Sequence, residues 1–466
     1  MTLFERILTA RGLTTRAARQ AFLQPDYMAV KHDPFLLPDM KKAVTRLKQA
    51  REQGEKIVIY GDYDIDGLSA TALLLDAFGK FGFEDVDAFI PNRFVEGYGM
   101  TMGAVDKVRD MGADLIVTVD TGSLCHAEIA YATSLGIDTV VTDHHNVAET
   151  PPPSVAAVNP KFPGHTYPFR DLCGAGVAFK LVQALQTELD GLPDGYEKWL
   201  LDLVALGTVC DIVTLADENR ANVYWGLEVL KKQQRPGLKA LMAVAGIEPE
   251  QVNARHLGFG LGPRMNAAGR LETAQHALDM LVARDGLVAL EASEKLEELN
   301  VKRRSIQDAI FEEACVQAEE LADDRVLVVS SSGWNHGVIG IVASKLVEKY
   351  KKPVFIIGER GKEATGSARS FGDFSAADAV RAADDIIIKG GGHGAAAGVT
   401  LATGKIGDFR RRVNEFYDSL QLTNQERYLL PRADVEIDDF SEIDEELVAN
   451  LAKMEPFGNG NPEPVL

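Results

Sequence analysis

Ile57-Val-Ile-Tyr-Gly-Asp62-Tyr-Asp64-Ile-Asp66-Gly67 is an apolar run that leads straight into three aspartates at alternate positions. Residues i, i+2 and i+4 of an extended chain point to the same side. If the strand geometry persists to its end, the three carboxylates converge on one small volume. Like charges that close repel strongly unless protons or cations neutralise them. Hard divalent ions with oxygen-rich coordination meet that need. Gly67 gives the chain freedom to turn, and Leu68 to Phe78 reads as a helix. The stretch predicts a metal site at the C-terminal end of a strand.

Around it, short apolar runs alternate with helical segments. The runs are Lys56–Tyr60, Val86–Ile90, Asp114–Val119, Asp138–Thr142 and Val155–Asn159. Near-continuous apolar strands separated by helices imply an α/β fold with a parallel, doubly wound sheet. Ligands of such sheets bind beyond the C-terminal strand ends, and these runs end in residues with chemistry to offer. Asp120 closes Leu115-Ile-Val-Thr-Val, and Asp143-His144-His145-Asn146 closes the next run with the only adjacent His pair in the chain. Asp211 interrupts the apolar segment Leu203 to Leu215 and reads as a fourth acidic end on the same sheet. Taken singly, a strand-end Asp is more often a helix cap or turn residue, and a buried lone aspartate is costly without a partner. Four such ends on one ligand-binding edge favour a dinuclear centre.

The chain has 466 residues, which is too long for one ordinary domain. Its 46% hydrophobic content rules out a disordered protein. No run is long and apolar enough to span a bilayer, and four widely separated cysteines with no CxxC pair suggest reduced core thiols in a cytoplasmic protein. The net charge of −20 points away from nucleic acid by itself. It is unevenly spread, however: residues 1–60 hold eleven Lys/Arg against six Asp/Glu, and residues 431–466 hold two against ten.

Residues 1–55 read as a helical segment. Its basic run Lys41-Lys42…Arg46…Lys48…Arg51 is either a solvated face or a nucleic-acid contact. A helical insert at 226–285 contains Gly258-Phe-Gly-Leu-Gly-Pro-Arg264-Met-Asn266-Ala-Ala-Gly-Arg270. Glycine-rich backbone carrying Arg264, Asn266 and Arg270 suits close approach to an anion; a loop that packs domains together is the plainer reading. A long charged helix over 286–322 bridges to a second α/β unit over 323–430. That unit carries Gly366-Ser367-Ala-Arg369-Ser370 and Gly390-Gly-Gly-His393-Gly-Ala-Ala-Ala-Gly398. The second string leads into a strand rather than a βαβ unit, so it is not a dinucleotide fingerprint. Residues 431–466 read as the opening of a further domain.

Asp62-Tyr-Asp64-Ile-Asp66-Gly, Val-Asp120-Thr-Gly, Asp143-His144-His145 and Gly-Thr-Val-Cys-Asp211 resemble, in order, the four motifs of the DHH phosphoesterase superfamily. The Arg369 and His393 strings resemble its DHHA1 domain. Gly-Pro-Arg-Met-Asn-Ala-Ala-Gly-Arg-Leu and Pro456-Phe-Gly-Asn-Gly-Asn-Pro-Glu-Pro resemble the RecJ branch, the single-strand-specific 5′→3′ exonucleases. Thr121-Gly122 departs from the Asn-Gly usual in the second motif. The resemblance implies a catalytic DHH domain over 56–225, a substrate-binding DHHA1 domain over 323–430, and the start of a truncated OB-like domain over 431–466.

The resemblance further implies two divalent ions, Mn²⁺ in preference to Mg²⁺. Asp62, Asp64 and Asp120 would surround one; Asp66, Asp120, His144 and Asp211 would surround the other. Asp143 would orient the His pair, and His145 would touch the scissile phosphate or a bound water. Arg93, Arg264, Ser367 and Arg369 would hold a 5′-phosphate, and His393 would line the substrate cleft. The expected substrate is single-stranded DNA with a 5′ end, in repair and recombination, with a single-strand-binding protein and a RecQ-type helicase as partners. The alternative is a DHH-type phosphodiesterase acting on short oligonucleotides or cyclic dinucleotides.

Overall fold

The computed structural model describes every residue except Tyr98, Asn424, Pro431 and Asp438; the expected boundary at 431 thus falls outside the described residues. The chain divides into two units, Met1–Leu299 with Ala433–Leu466, and Asn300–Arg432.

The first unit is built on a five-stranded parallel sheet of order β2-β1-β3-β4-β5. The strands are β1 Ile57–Gly61, β2 Val86–Phe89, β3 Leu115–Val119, β4 Asp138–Thr142 and β5 Ala156–Val158. Alternation sends successive side chains into two different cores. Ile57, Ile59, Leu115, Val117 and Val119 join the cluster formed with helices Met40–Gln53, Ile65–Phe81 and Gly174–Leu185. Val58, Tyr60, Ile116 and Val141 join the cluster of helices Met102–Asp110 and His126–Ser134. The sheet is thus covered on both faces, as a parallel sheet requires. The strand order reverses between β1 and β3, and the crevice at such a switch point is where ligands bind.

Three local readings of the sequence need correction. Strand β1 stops at Gly61, and Asp66 already lies in the first turn of helix Ile65–Phe81. The three carboxylates therefore meet through a turn rather than along a strand. Asp64 starts that helix by accepting hydrogen bonds from the Asp66 and Gly67 amides, at 2.9 and 3.1 Å. Gly67 serves close approach, because a Cβ there would fall 2.6 Å from the Asp62 carbonyl oxygen. Asp211 follows a helix, Leu201–Cys210, and not a strand; its residues from Leu201 to Thr208 are all buried, so the run carries neither periodicity.

The glycine-rich 258–270 stretch is also helical, with a π-helical segment His256–Leu261 leading into helix Gly262–Leu271. Its Gly262 lets that helix pack closely, since a Cβ would meet the Leu257 carbonyl oxygen at 2.9 Å and the Cys210 Sγ at 3.0 Å. Gly390 to His393 form a strand of the second unit that pairs antiparallel with Ala396–Ala402.

In the basic N-terminal run, Arg46 is structural: it is buried and pairs with Glu55 and Asp138, both at 2.7 Å. Residues 433–466 contain helix Glu445–Ala452 and no strand among those described. Leu447 and Met454 from this segment pack with Leu3, Ile7 and Leu8 of the first helix.

The second unit carries a mixed sheet, β6 Leu327–Ser332, β7 Val354–Arg360, β8 Glu363–Arg369, β9 Lys389–His393 and β10 Ala396–Ala402, in the order β6-β7-β8-β10-β9. Only β6 and β7 are parallel. Val326, Val328, Phe355, Ile357 and Phe409 form its core. The 35-residue helix Gly286–Glu320 carries the chain from the first unit into the second. All four cysteines are free thiols. Among the described residues, no helix is long and apolar enough to cross a membrane.

Candidate metal centre

Seven side chains meet beyond the ends of β1, β3 and β4. Ligand atoms of Asp62, Asp64 and Asp120 lie within 4.8 Å of one another, as do those of Asp66, His144 and Asp211, and those of Asp120, His144 and His145. Asp120 belongs to two of these groups and so sits between them. Its backbone is left-handed, with φ of 60°, a conformation that Asp tolerates better than most residues. A Cβ on Gly174 would fall 2.5 Å from the Asp120 Cβ, so only glycine leaves room for that side chain. Gly207 plays the same part beside Asp66 Oδ1, at 2.4 Å.

The fit to cations rests on unsatisfied atoms. His144 Nε2 stands 3.0 Å from Asp120 Oδ1, 3.5 Å from Asp211 Oδ2 and 3.8 Å from Asp66 Oδ2. Among the described residues, both His144 Nε2 and Asp120 Oδ1 are buried without a hydrogen-bond partner. Orphaned polar atoms of this kind are rare in native interiors. A carboxylate set with one imidazole suits Mn²⁺ or Mg²⁺.

The titration behaviour of the protein groups points the same way. Burial, then the Asp64 carboxylate, pushes Asp62 up to about 7. Burial and Asp64 raise Asp66 to about 6, although the Gly174 and Ala175 amides hydrogen-bond its two oxygens at 2.5 and 2.9 Å. Burial followed by Asp66 and Asp64 raises Asp211 to about 8, and Asp120 is driven well above the carboxylate range by burial and Asp66. Burial and the neighbouring His145 lower His144 to about 4, which keeps it neutral, as a ligand must be.

Asp143 lies behind this cluster. Its carboxylate accepts hydrogen bonds from the Ser123, His144 and His145 amides at 2.9, 2.7 and 3.1 Å, and its Oδ1 is 2.8 Å from His145 Nδ1. Burial alone would raise Asp143, but the His145 hydrogen bond and the charges of both histidines hold it below the usual carboxylate range. For His145, burial is outweighed by Asp143, and the ring rises to about 9.

The anion-binding candidates are spread over both units. Arg93 stacks on the Tyr63 ring, 4.3 Å from its centroid. Arg264, Asn266 and Arg270 lie on helix Gly262–Leu271, where Arg264 pairs with Glu297 at 2.5 Å and donates to the Gly260 carbonyl at 2.7 Å. Ser367 and Arg369 lie on β8, with Arg369 donating to Ser367 Oγ at 3.3 Å and to the Ala368 carbonyl at 2.8 Å. His393 ends β9 and is exposed.

Residues that the sequence reading missed are the Gly174 and Ala175 amides, Ser123, Asn159 and Lys161. Asn159 Nδ2 donates to Ser123 Oγ at 2.8 Å and to the His145 carbonyl at 2.9 Å. The charge on Lys161 depresses both His144 and Asp211. The polar Asn159-Pro-Lys161 at a strand exit was the available signal for these last two.

The "DHH family, N-terminal domain" profile matches residues 56–208, and the "DHHA1 domain" profile matches residues 323–419. A single-stranded-DNA-specific exonuclease RecJ of Salmonella typhimurium is 37% identical over 399 residues, covering 81% of this chain and 69% of the relative. This chain belongs to the RecJ family. The RecJ of Bacillus subtilis is 40% identical over 462 residues, 98% of this chain and 57% of that relative. A crystal structure of RecJ from Thermus thermophilus in complex with Mn²⁺ superposes with a TM-score of 0.83 at 32% identity, over 98% of this chain and 64% of that one. The chain therefore spans somewhat over half the length of these two RecJ proteins.

Proposed function

We propose that this chain is a single-strand-specific 5′→3′ DNA exonuclease that releases 5′-mononucleotides by two-metal phosphodiester hydrolysis. The observation that carries the reading is the buried cluster in which Asp120 Oδ1 and His144 Nε2 have no hydrogen-bond partner among the described residues, on a chain of the RecJ family. Asp62, Asp64 and Asp120 would hold one divalent ion, and Asp66, Asp120, His144 and Asp211 the second, with Mn²⁺ preferred over Mg²⁺. Such a pair supplies Lewis acidity, a nucleophile at neutral pH and charge neutralisation at the phosphate.

The protein groups do the rest. Asp143 orients the His145 ring by accepting a hydrogen bond from its Nδ1–H. With a pKa of about 9, the ring is cationic at neutral pH and complements an anionic phosphate. Arg93, Arg264, Ser367 and Arg369 would bind the 5′-phosphate, with Asn266, Arg270 and His393 along the strand; arginine's fork matches phosphate geometry. A terminal anchor of this kind selects exonuclease over endonuclease action. In this division, 56–225 is the catalytic domain, 226–285 an insert and 323–430 the substrate-binding domain. The enzyme would work in the cytoplasm on strands opened by a RecQ-type helicase and coated by a single-strand-binding protein.

The test is a digestion series with Mn²⁺ on 5′-phosphorylated single-stranded DNA, a blunt duplex and a dinucleotide. Mononucleotides released from the single strand alone, in 5′→3′ order, are expected. Cleavage of the dinucleotide but not of the long strand would overturn the reading in favour of a short-oligonucleotide or cyclic-dinucleotide phosphodiesterase.

A further inference from the structure

The turn Pro456-Phe-Gly-Asn459-Gly-Asn461-Pro462 is far in sequence from every residue of the centre, yet it docks beside one of them. Asp211 ends helix Leu201–Cys210, and the next residue, Ile212, is left-handed with φ of 61°. A β-branched residue rarely adopts that conformation, which persists only where the surroundings impose it. The turn supplies that constraint. Asn459 Nδ2 donates to the Ile212 carbonyl at 2.8 Å, and the Leu215 amide donates to the Asn459 carbonyl at 2.8 Å. On the other side, the Thr214 amide donates to Asp171 Oδ2 at 2.9 Å, and Asn219 Nδ2 reaches the Thr214 carbonyl at 3.0 Å. The segment just after Asp211 is thus gripped from two sides.

The turn itself is rigid. Gly458 and Asn461 exchange backbone hydrogen bonds at 2.9 and 3.1 Å. Buried Asn461 donates to the Met454 and Pro456 carbonyls at 2.9 and 2.8 Å, and Arg220 donates to the carbonyls of Met454, Glu455 and Pro456. The glycines let it seat: a Cβ on Gly458 would fall 2.8 Å from Leu215 Cδ1, and one on Gly460 2.5 Å from Thr214 Cγ2.

We infer that Asn459 is a positioning residue for Asp211. By holding Ile212 left-handed, it fixes where the helix ends and where the Asp211 carboxylate points, 3.5 Å from His144 Nε2. This rests on the proposed role of Asp211 as a ligand of the second ion. Groups that orient metal ligands from behind typically contribute 10–100-fold in affinity.

The test is Mn²⁺ titration of the full chain by calorimetry and by electron paramagnetic resonance, with thermal unfolding in chelator alongside. Asp211→Asn sets the benchmark for losing the ligand. Asn459→Ala is expected to weaken one of two Mn²⁺ ions by about tenfold, with the metal-free unfolding midpoint little changed. Adding Ile212→Gly, which adopts a left-handed backbone without strain, should restore most of that affinity. A purely structural role for the turn would not produce that rescue. If Asn459→Ala fails to fold, Asn459→Asp, which keeps the size and loses the donor, is read the same way. Unchanged Mn²⁺ affinity in the Asn459 variants, with Asp211→Asn weakened, overturns the inference and leaves the proposed function standing. Two ions bound at wild-type affinity by Asp211→Asn overturn the ligand assignment, and the inference with it.

Discussion

His144 Nε2 and Asp120 Oδ1 face each other across 3.0 Å, both buried and, among the described residues, both without a hydrogen-bond partner. Burial lowers His144 and raises Asp120, so both favour the neutral form and gain little from each other. The pair is suited to binding a cation rather than to stabilising the fold. Asp120→Asn keeps a residue type that tolerates the left-handed backbone and removes one of several crowded carboxylates. It should stabilise the metal-free protein by about 1 kcal/mol while abolishing cleavage and weakening Mn²⁺ binding. Calorimetric unfolding in chelator checks this, and a lower midpoint for the variant would count against it.

The carboxylate cluster also sets a pH dependence. Asp66, Asp62 and Asp211 titrate at about 6, 7 and 8 in the folded protein, against about 3.9 for an unfolded aspartate. Between those values the native state holds protons that the unfolded chain has released, so stability falls as pH rises. The contribution is complete below about pH 4 and is lost through the folded-state values. Urea unfolding in chelator should show a loss on the order of a few kcal/mol between pH 5 and pH 8. Saturating Mn²⁺ should stabilise the protein far more at pH 8 than at pH 5.

Arg369 is half-buried and, among the described residues, forms no ion pair, while burial lowers its pKa. A cation in that position is available for an anionic ligand. Arg369→Ala should raise KM for 5′-phosphorylated strands by roughly tenfold with kcat little changed, since hydrogen bonds to charged groups contribute about 1.5–3 kcal/mol. Strands with a 5′-hydroxyl should lose much less. Equal losses on both substrates would remove Arg369 from 5′-end recognition.

Gly174→Ala tests the steric cradle of the centre. The new Cβ would fall 2.5 Å from the Asp120 Cβ, and Asp120 has no flexible tail with which to retreat. The variant should fold less stably and bind Mn²⁺ at least tenfold more weakly. Unaltered Mn²⁺ affinity would mean that the Asp120 position does not govern the site.

Much of this was legible in the sequence. The short strands separated by helices, the doubly wound sheet and the acidic strand exits follow from near-continuous apolar runs and the rule that ligands bind beyond the C-terminal strand ends. The misreadings have common physical causes. Leu201–Cys210 is buried all round, which erases helical periodicity and lets it pass for a strand. The glycines of 258–269 disguise the helix Gly262–Leu271, in which Gly262 serves close packing. Backbone donors such as Gly174 and Ala175 carry no side-chain signature at all. The grip of Asn459 on Ile212 spans 247 positions, beyond what local patterning encodes.

The most direct measurement is anomalous diffraction from crystals of the chain soaked in Mn²⁺. The account predicts two peaks about 3.5–4 Å apart, one bounded by Asp62, Asp64 and Asp120, the other by Asp66, Asp120, His144 and Asp211, with the second weakened in Asp211→Asn. A single peak, or peaks that leave Asp120 outside both coordination spheres, would contradict it.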